Sequence, residues 1–306
     1  MCRVYRVRYW VAIFNVRNLP LSNGVYHLVV KRYLILGVLS LVAFLVFSIP
    51  TPGNFSVSFF DVGQGDALFI QSSTGVQVLV DGGATRAVLR ELGDHMPFFD
   101  RTIDVIIATH PDQDHIGGLS DVLRRYDTKL FIESGVESDT SAFLALKKIL
   151  EEKNVTQVRA IRGTRIMLGG GAYADILFPD RDVSMIESNT ASIVMRVVYG
   201  EHEFLLTGDS PRSIERYLVS LDGSNLKSDV LKVGHHGSKT SSDESFVLNV
   251  APQYAVIQAG KDNRYGHPHK ETLDTLQSFG IRTFNSGEDG TVTFRSNGKT
   301  LNISKH

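Results

Sequence analysis

Four side chains able to hold a metal ion fall within six positions at His110-Pro111-Asp112-Gln113-Asp114-His115. Two carboxylates placed as close as Asp112 and Asp114 repel each other, and a bound dication removes that penalty. The Gly117-Gly118 pair that follows lets the backbone turn tightly into a helix. A polar loop capping that helix accounts for the cluster taken alone. Two later features shift the balance: Asp209 in Leu206-Thr207-Gly208-Asp209, and the histidine pair of Gly234-His235-His236. The chain has one cysteine, Cys2, far from all of them, so any ligands are imidazoles and carboxylates rather than thiolates. Such donors, gathered by a fold, make a hydrolytic metal centre in which a metal-bound water attacks phosphorus or a carbonyl.

The elements that must gather them are legible in the apolar pattern. Strand-like runs cover Phe55–Asp61, Ala67–Gln71, Val76–Val80, Val105–Ala108, Ala191–Val198, Glu203–Leu206, Val230–Val233 and Tyr254–Gln258. Helix-like runs cover Gly118–Tyr126, Thr140–Lys153, Pro211–Leu221 (with Ser210 at the N-cap), Ser242–Val250 and Lys270–Phe279. Gly169-Gly170-Gly171 reads as a hairpin turn. The candidate ligands recur at the ends of apolar strands: His110 after Val105–Ala108, Asp209 after Phe204–Leu206, His235 after Val230–Val233. That placement predicts a site at one edge of a packed sheet, in a single α/β domain over residues 55–306. Asp61 and Asp66 bracket a glycine-rich turn, and turn chemistry accounts for them.

These motifs, in this order from about Phe55 to the C-terminus, resemble the metallo-β-lactamase superfamily. His110 to His115 is similar to its HxHxDH signature, Asp81 in Leu79-Val80-Asp81-Gly82-Gly83 to its earlier aspartate motif, Asp209 to the aspartate that bridges two metals, and His235 to its last histidine. The resemblance implies an α/β fold with a four-layer αββα sandwich. Phe59-Phe60-Asp61-Val62-Gly63-Gln64-Gly65-Asp66-Ala67, Lys232-Val233-Gly234-His235-His236-Gly237-Ser238 and Tyr265-Gly266-His267-Pro268-His269 look like the extracytoplasmic hydrolase domain of ComEC-type competence proteins. In that family the domain is thought to degrade the non-transported DNA strand. The multi-span channel region has no counterpart here, so a part in DNA import is not implied.

Two departures matter. Asp112 stands where the superfamily has a second histidine, and Asn189 in Ser188-Asn189-Thr190-Ala191-Ser192 where it has its middle one. The resemblance then implies one metal site of Asp114, His115, Asp209 and His235. The other has His110, Asp112 and Asp209, with Asn189 a weak ligand or none. The expected cofactor is one or two divalent ions, zinc or manganese, with oxygen donors shifting preference from zinc towards manganese or magnesium. Asp114 and Asp209 are the expected catalytic groups, Asp114 orienting the water or carrying its proton. Asp81 is expected behind the histidine loop. His236, Ser238, His267 and His269 are expected to support ligands or touch substrate, with Lys232 a further phosphate contact.

The front of the chain differs in character. Residues 1–32 carry six basic side chains and no acidic residue precedes Asp61, so of the overall −1 the remainder holds 26 basic against 33 acidic groups. An apolar run from Tyr33 to Ile49 follows, then a Pro50-Thr51-Pro52-Gly53 linker within residues 50–54. The run is near the lower limit for a membrane span, and basic residues before it predict a cytoplasmic N-terminus with the domain outside. A cleaved signal peptide, with secretion, fits the same residues, as does a buried helix; residues 1–27 also fit a start placed upstream of the true one. The expected function is a phosphodiesterase or nuclease outside the cytoplasm, acting on single-stranded DNA or another phosphodiester. The alternatives are a hydrolase of another ester (a wall-polymer phosphoester or a lactone) and a metal-binding module without turnover. The acidic domain lacks the footprint of a tight nonspecific DNA binder. No feature predicts a protein partner.

Overall fold

The computed structural model describes residues 31–40 and 54–306. The chain divides into two compact units, Met1–Thr51 and Pro52–His306. In the first, residues 31–40 are helical, with Tyr33, Leu34, Ile35 and Leu36 exposed. Among the described residues no helix is long and apolar enough to cross a membrane. Of the expected span over Tyr33–Ile49, residues 41–49 lie outside the described residues, as do the basic segment before Lys31 and the linker up to Gly53.

The second unit is built on two sheets. Its strands, in chain order, are β1 (Phe55–Phe59), β2 (Leu68–Gln71), β3 (Gln77–Val80), β4 (Thr102–Ala108), β5 (Asp127–Glu133), β6 (Thr156–Arg159), β7 (Arg165–Gly169), β8 (Ala172–Phe178), β9 (Val194–Tyr199), β10 (His202–Leu206), β11 (Val230–Lys232), β12 (Tyr254–Ile257), β13 (Arg282–Asn285), β14 (Val292–Ser296) and β15 (Leu301–Lys305). One sheet has the order β15-β14-β1-β2-β3-β4-β5-β6 and the other β13-β12-β11-β10-β9-β8-β7. Alternation decides which side chains meet between them. Phe55, Val57 and Phe59 of β1 and Val78 and Val80 of β3 point inward and pack on Ala174 and Ile176 of β8, Val197 of β9 and Phe204 and Leu206 of β10. Phe204 meets Phe294 of β14 edge-on, with ring centres 6.0 Å apart.

Helices cover the outer faces. Ala87–His95, Leu119–Arg125 and Ser141–Glu152 lie on the first sheet through Val88, Leu92, Leu119, Val122, Leu146 and Leu150. Arg212–Asp222 and Glu244–Val250 lie on the second through Ile214, Leu218, Phe246 and Val250, and Lys270–Ser278 through Leu276. Strand β4 is therefore buried on both sides, Ile107 between the sheets and Ile106 and Ala108 under the helices, which is why it reads as a continuous apolar run. Helix caps differ from expectation at one point. The N-cap position before Arg212 is Pro211, not Ser210.

Both sheets have parallel segments, β3-β4-β5-β6 in one and β10-β11-β12-β13 in the other. The turns after β4, β10, β11 and β12 meet at the carboxyl ends of these segments. Side chains from both sheets converge there.

Candidate metal centre

Asp209 is the centre of the convergence. Its Oδ2 lies 3.3 Å from Nε2 of His115, 3.3 Å from Nε2 of His236, and 3.9 Å from Nε2 of both His110 and His235. Asp114 Oδ2 is 3.2 Å from His236 Nε2, and Asp112 Oδ2 is 3.8 Å from His110 Nε2. Two ligands about 2.1 Å from one tetrahedral ion are about 3.4 Å apart, so this spacing is that of donors sharing cations. Asp66, His115, Asp209 and His236, all buried, also offer ligand atoms within 4.8 Å of one another. Nε2 of His110, His115 and His236 and Oδ1 of Asp209 are buried without a hydrogen-bond partner among the described residues. Buried polar atoms are left so only at a cost, which a divalent ion would remove. The donor set fits one or two such ions.

The opposite edges of the rings are held by the protein. Asp81 accepts from the Thr109 amide at 2.8 Å, the Thr109 hydroxyl at 2.7 Å and His115 Nδ1 at 2.8 Å. With its proton on Asp81, the Thr109 oxygen accepts from His110 Nδ1 at 3.0 Å. His236 Nδ1 donates to the Gln258 carbonyl at 2.8 Å. Each of these bonds leaves Nε2 as the lone-pair nitrogen facing Asp209. Asp81 thus stands behind the histidine loop, its left-handed φ of 59° placing the carboxylate there.

The electrostatics follow from burial and crowding. Burial, with His115 adjacent, lowers His110 to about 3, so its ring is neutral. Burial also pulls His115 and His236 down, but carboxylates outweigh it and hold both well above the ordinary imidazole range: Asp209 and Asp81 for His115, Asp209 and Asp66 for His236. Burial pushes Asp209 up; His236 and His115 overcome that and hold it well below the usual carboxylate range.

His110, Asp112, Asp114, His115, Asp209 and His235 are brought together. His236, expected to stand aside because neighbouring residues normally point apart, turns to the same carboxylate. His235 and His236 both have left-handed backbones (φ 49° and 53°), and this curl aims both rings at Asp209, the buried His236 more closely than His235. The segment around Asn189 contributes through its neighbours: Ser188 Oγ donates to Asp112 at 2.6 Å, and Ser192 Oγ lies 3.3 Å from His110 Nδ1 and accepts from the Asp209 amide at 3.1 Å. Asn189 Oδ1 is buried without a hydrogen-bond partner among the described residues.

Ser238, Lys232 and His269 make contacts within the protein. Ser238 Oγ accepts from the amide and hydroxyl of Thr240, whose hydroxyl in turn meets His235 Nδ1 at 3.0 Å. His269 Nδ1 accepts from the Lys239 amide. Lys232, with 1% of its surface exposed, pairs with the carboxylate of Asp66 and donates to the Gly208 carbonyl at 3.0 Å. His267 lies in the site, its ring centre 5.7 Å from that of His235, and burial with His236 nearby lowers it to about 4.

Asp66, for which turn chemistry accounts in the sequence, is a part of the centre. It is fully buried, facing His236 Nδ1 at 3.2 Å and His115 Nδ1 at 3.8 Å, on the ring edges away from Asp209. That position suits charge balance behind the rings better than coordination in front of them. Gly65 makes the turn possible: at φ 115°, a Cβ there would sit 2.0 Å from the Asp114 carbonyl oxygen. A signal for Asp66 existed in Lys232. A lysine at the end of an apolar strand is buried only with a carboxylate partner.

A model of the metallo-beta-lactamase superfamily matches residues 60–261. ComE operon protein 3 of Bacillus subtilis (strain 168) is 33% identical over 278 residues, covering 85% of this chain and 35% of that protein. Recombination protein 2 of Haemophilus influenzae is 32% identical over 244 residues, covering 78% of this chain and 28% of that protein. The chain spans about a third of the length of these curated relatives, which are ComEC-type competence proteins. Among solved structures, the metallo-beta-lactamase fold protein YhfI from Bacillus subtilis superposes with a TM-score of 0.52 at 14% identity, over 82% of this chain and 100% of that one, a likeness of fold.

Proposed function

The chain belongs to the metallo-beta-lactamase superfamily, and from that premise we propose that it is a metal-dependent phosphodiesterase, acting on single-stranded DNA or a related phosphodiester outside the cytoplasm. The observation that carries the reading is the donor set around Asp209. Carboxylates of Asp112, Asp114 and Asp209 stand there with four imidazoles, a mixture of oxygen and nitrogen donors that suits manganese or zinc and the phosphate oxygens such ions bind. The competence-protein relatives and the apolar run after Lys31-Arg32 support the choice of substrate and side of the membrane.

When bound, divalent ions supply Lewis-acid polarisation of the phosphoryl oxygens and a water acidic enough to ionise near neutral pH. His110, Asp112 and Asp209 would hold one ion; Asp114, His115, His236 and Asp209 the other, with His235 at the outer edge. Asp209 stands between the sets and keeps their charges in register. Asp114, more exposed than Asp209 and less so than Asp112, would orient the attacking water and take its proton. Asp81 and the Gln258 carbonyl keep the His115 and His236 rings from rotating as charge moves. Thr109 does so for His110.

The test uses the Pro52–His306 unit, which closes its own core. Stripped of metal and reloaded with Mn²⁺, Zn²⁺ or Mg²⁺, it is assayed on single-stranded DNA and on a small phosphodiester beside Asp209→Ala. Cleavage that needs both metal and Asp209 is expected. Turnover that survives Asp209→Ala, or none with metal bound, would refute the proposal.

A further inference from the structure

The roles above leave one feature of the site unused, a cleft of about 430 Å³ opening beside Asp114. That is the size of a small-ligand site. Gln64, Gln113 and Asp114 form one wall; Arg264 and Tyr265 form the other. Tyr265 is 48% exposed, a large aromatic side chain left in solvent at the edge of a charged centre. Its ring stacks on His267 with centres 5.6 Å apart and planes inclined by 21°. His267 in turn lies 5.7 Å from His235 and 6.1 Å from His236. A row of aromatic planes therefore runs from the candidate metal centre to the mouth of the cleft.

The loop bearing this row is held rigidly. Asn263 Oδ1 accepts from the amides of Tyr265 and His267, and its Nδ2 donates to the carbonyls of Gly260 and His267. Arg264 lies over the Tyr265 ring at 4.9 Å and donates to its hydroxyl at 2.8 Å. On the facing wall, Gln64 Nε2 is buried with no hydrogen-bond partner among the described residues. A buried donor left over at the edge of a cavity is a group that a ligand atom can satisfy.

We infer that this cleft receives the nucleobase next to the phosphate that is cut, with the base taking the place of the Arg264 guanidinium over the Tyr265 ring, its edge meeting the amide of Gln64, and the displaced Arg264 turned to the adjoining phosphate. The inference rests on the phosphodiesterase reading and adds to it what must flank the phosphate. Aromatic and guanidinium planes beside amides are the chemistry that holds unpaired bases. It also accounts for an acidic domain acting on a polyanion: affinity comes from stacking, where a basic groove would draw it from counterion release. A wall-polymer phosphoester has no planar face to place there.

The experiment is binding, measured by fluorescence anisotropy with the Mn²⁺-loaded Pro52–His306 unit. The probes are a labelled thymidine hexamer with hydrolysis-resistant phosphorothioate links and an abasic strand of the same length, linkage and charge. The base-bearing strand is expected to bind about 5- to 150-fold more tightly, the contribution of one stacked base. Tyr265→Ala is expected to abolish that difference and Tyr265→Phe to retain it. Equal binding of the two strands by the unsubstituted protein, no binding of either, or an equal loss on both strands in Tyr265→Ala would overturn the inference. Failure of the phosphodiesterase reading has a separate sign: intact ordinary phosphodiester DNA after incubation with the metal-loaded protein, whatever the anisotropy shows.

Discussion

Replacing Lys232 with methionine keeps the length of the buried side chain and removes its charge. Lys232 and Asp66 have 1% and 0% of their surface exposed, so solvent screens neither. The ammonium pairs with Asp66 and lies 3.8 Å from Asp209 Oδ1, which makes it the fixed positive charge behind the candidate centre. Breaking a buried pair by removing one partner costs about 3–5 kcal/mol, because the other charge is left buried and uncompensated. For a domain of this size 1 kcal/mol corresponds to about 2–4 °C in Tm, so Lys232→Met is expected to lower Tm by about 6–20 °C. The assay is thermal and urea unfolding of the metal-free Pro52–His306 unit, where no ion can compensate. The double variant Lys232→Met/Asp66→Asn removes both charges and is expected to recover a substantial part of the loss. A cost under about 1 kcal/mol for Lys232→Met, or a double variant no more stable than the single one, would refute the assignment of Lys232 and Asp66 as a mutually dependent pair.

Two further outcomes follow from the geometry. His236→Ala is expected to weaken metal binding more than His235→Ala, since His236 is buried and its Nε2 is 3.3 Å from Asp209 against 3.9 Å for His235; metal titration of the two variants decides it, and the reverse order would contradict the arrangement. Glu215 is buried under the Ser242 and Asp243 amides, and burial raises it from 4.5 to about 7. Between those values the unfolded chain releases the proton more readily than the folded one, so stability present below pH 4.5 is lost as pH rises to about 7. The amount is about 3 kcal/mol, and the stability difference between the parent and Glu215→Gln should change with pH in that window; a pH-independent difference would refute it.

The apolar pattern alone was enough to locate the strands that carry the centre. Parallel strands buried on both faces, such as β4 and β11, must be continuous apolar runs, and the polar residues that end them stand out for that reason. The same logic hid the edges. Strand β6 is exposed along its whole length and β15 has no fully buried residue, so neither has an apolar face to mark it. The helix Ala87–His95 escaped because the core claims little more than Val88 and Leu92 from it.

The candidate centre divides in the same way. His110, Asp112, Asp114, His115 and Asp209 were legible in the sequence, the first four because they crowd one six-residue loop and Asp209 because it follows the end of an apolar strand. Tertiary structure alone decided the rest. That His235 and His236 both face Asp209 depends on two consecutive left-handed residues, a backbone state that the cooperating fold imposes and that residue type does not announce. Asp66 acquires its role only when β11 brings Lys232 behind the turn that follows β1, a meeting of residues 166 positions apart in the chain. A buried charge is stable only opposite its partner, and chain order does not determine where that partner will be.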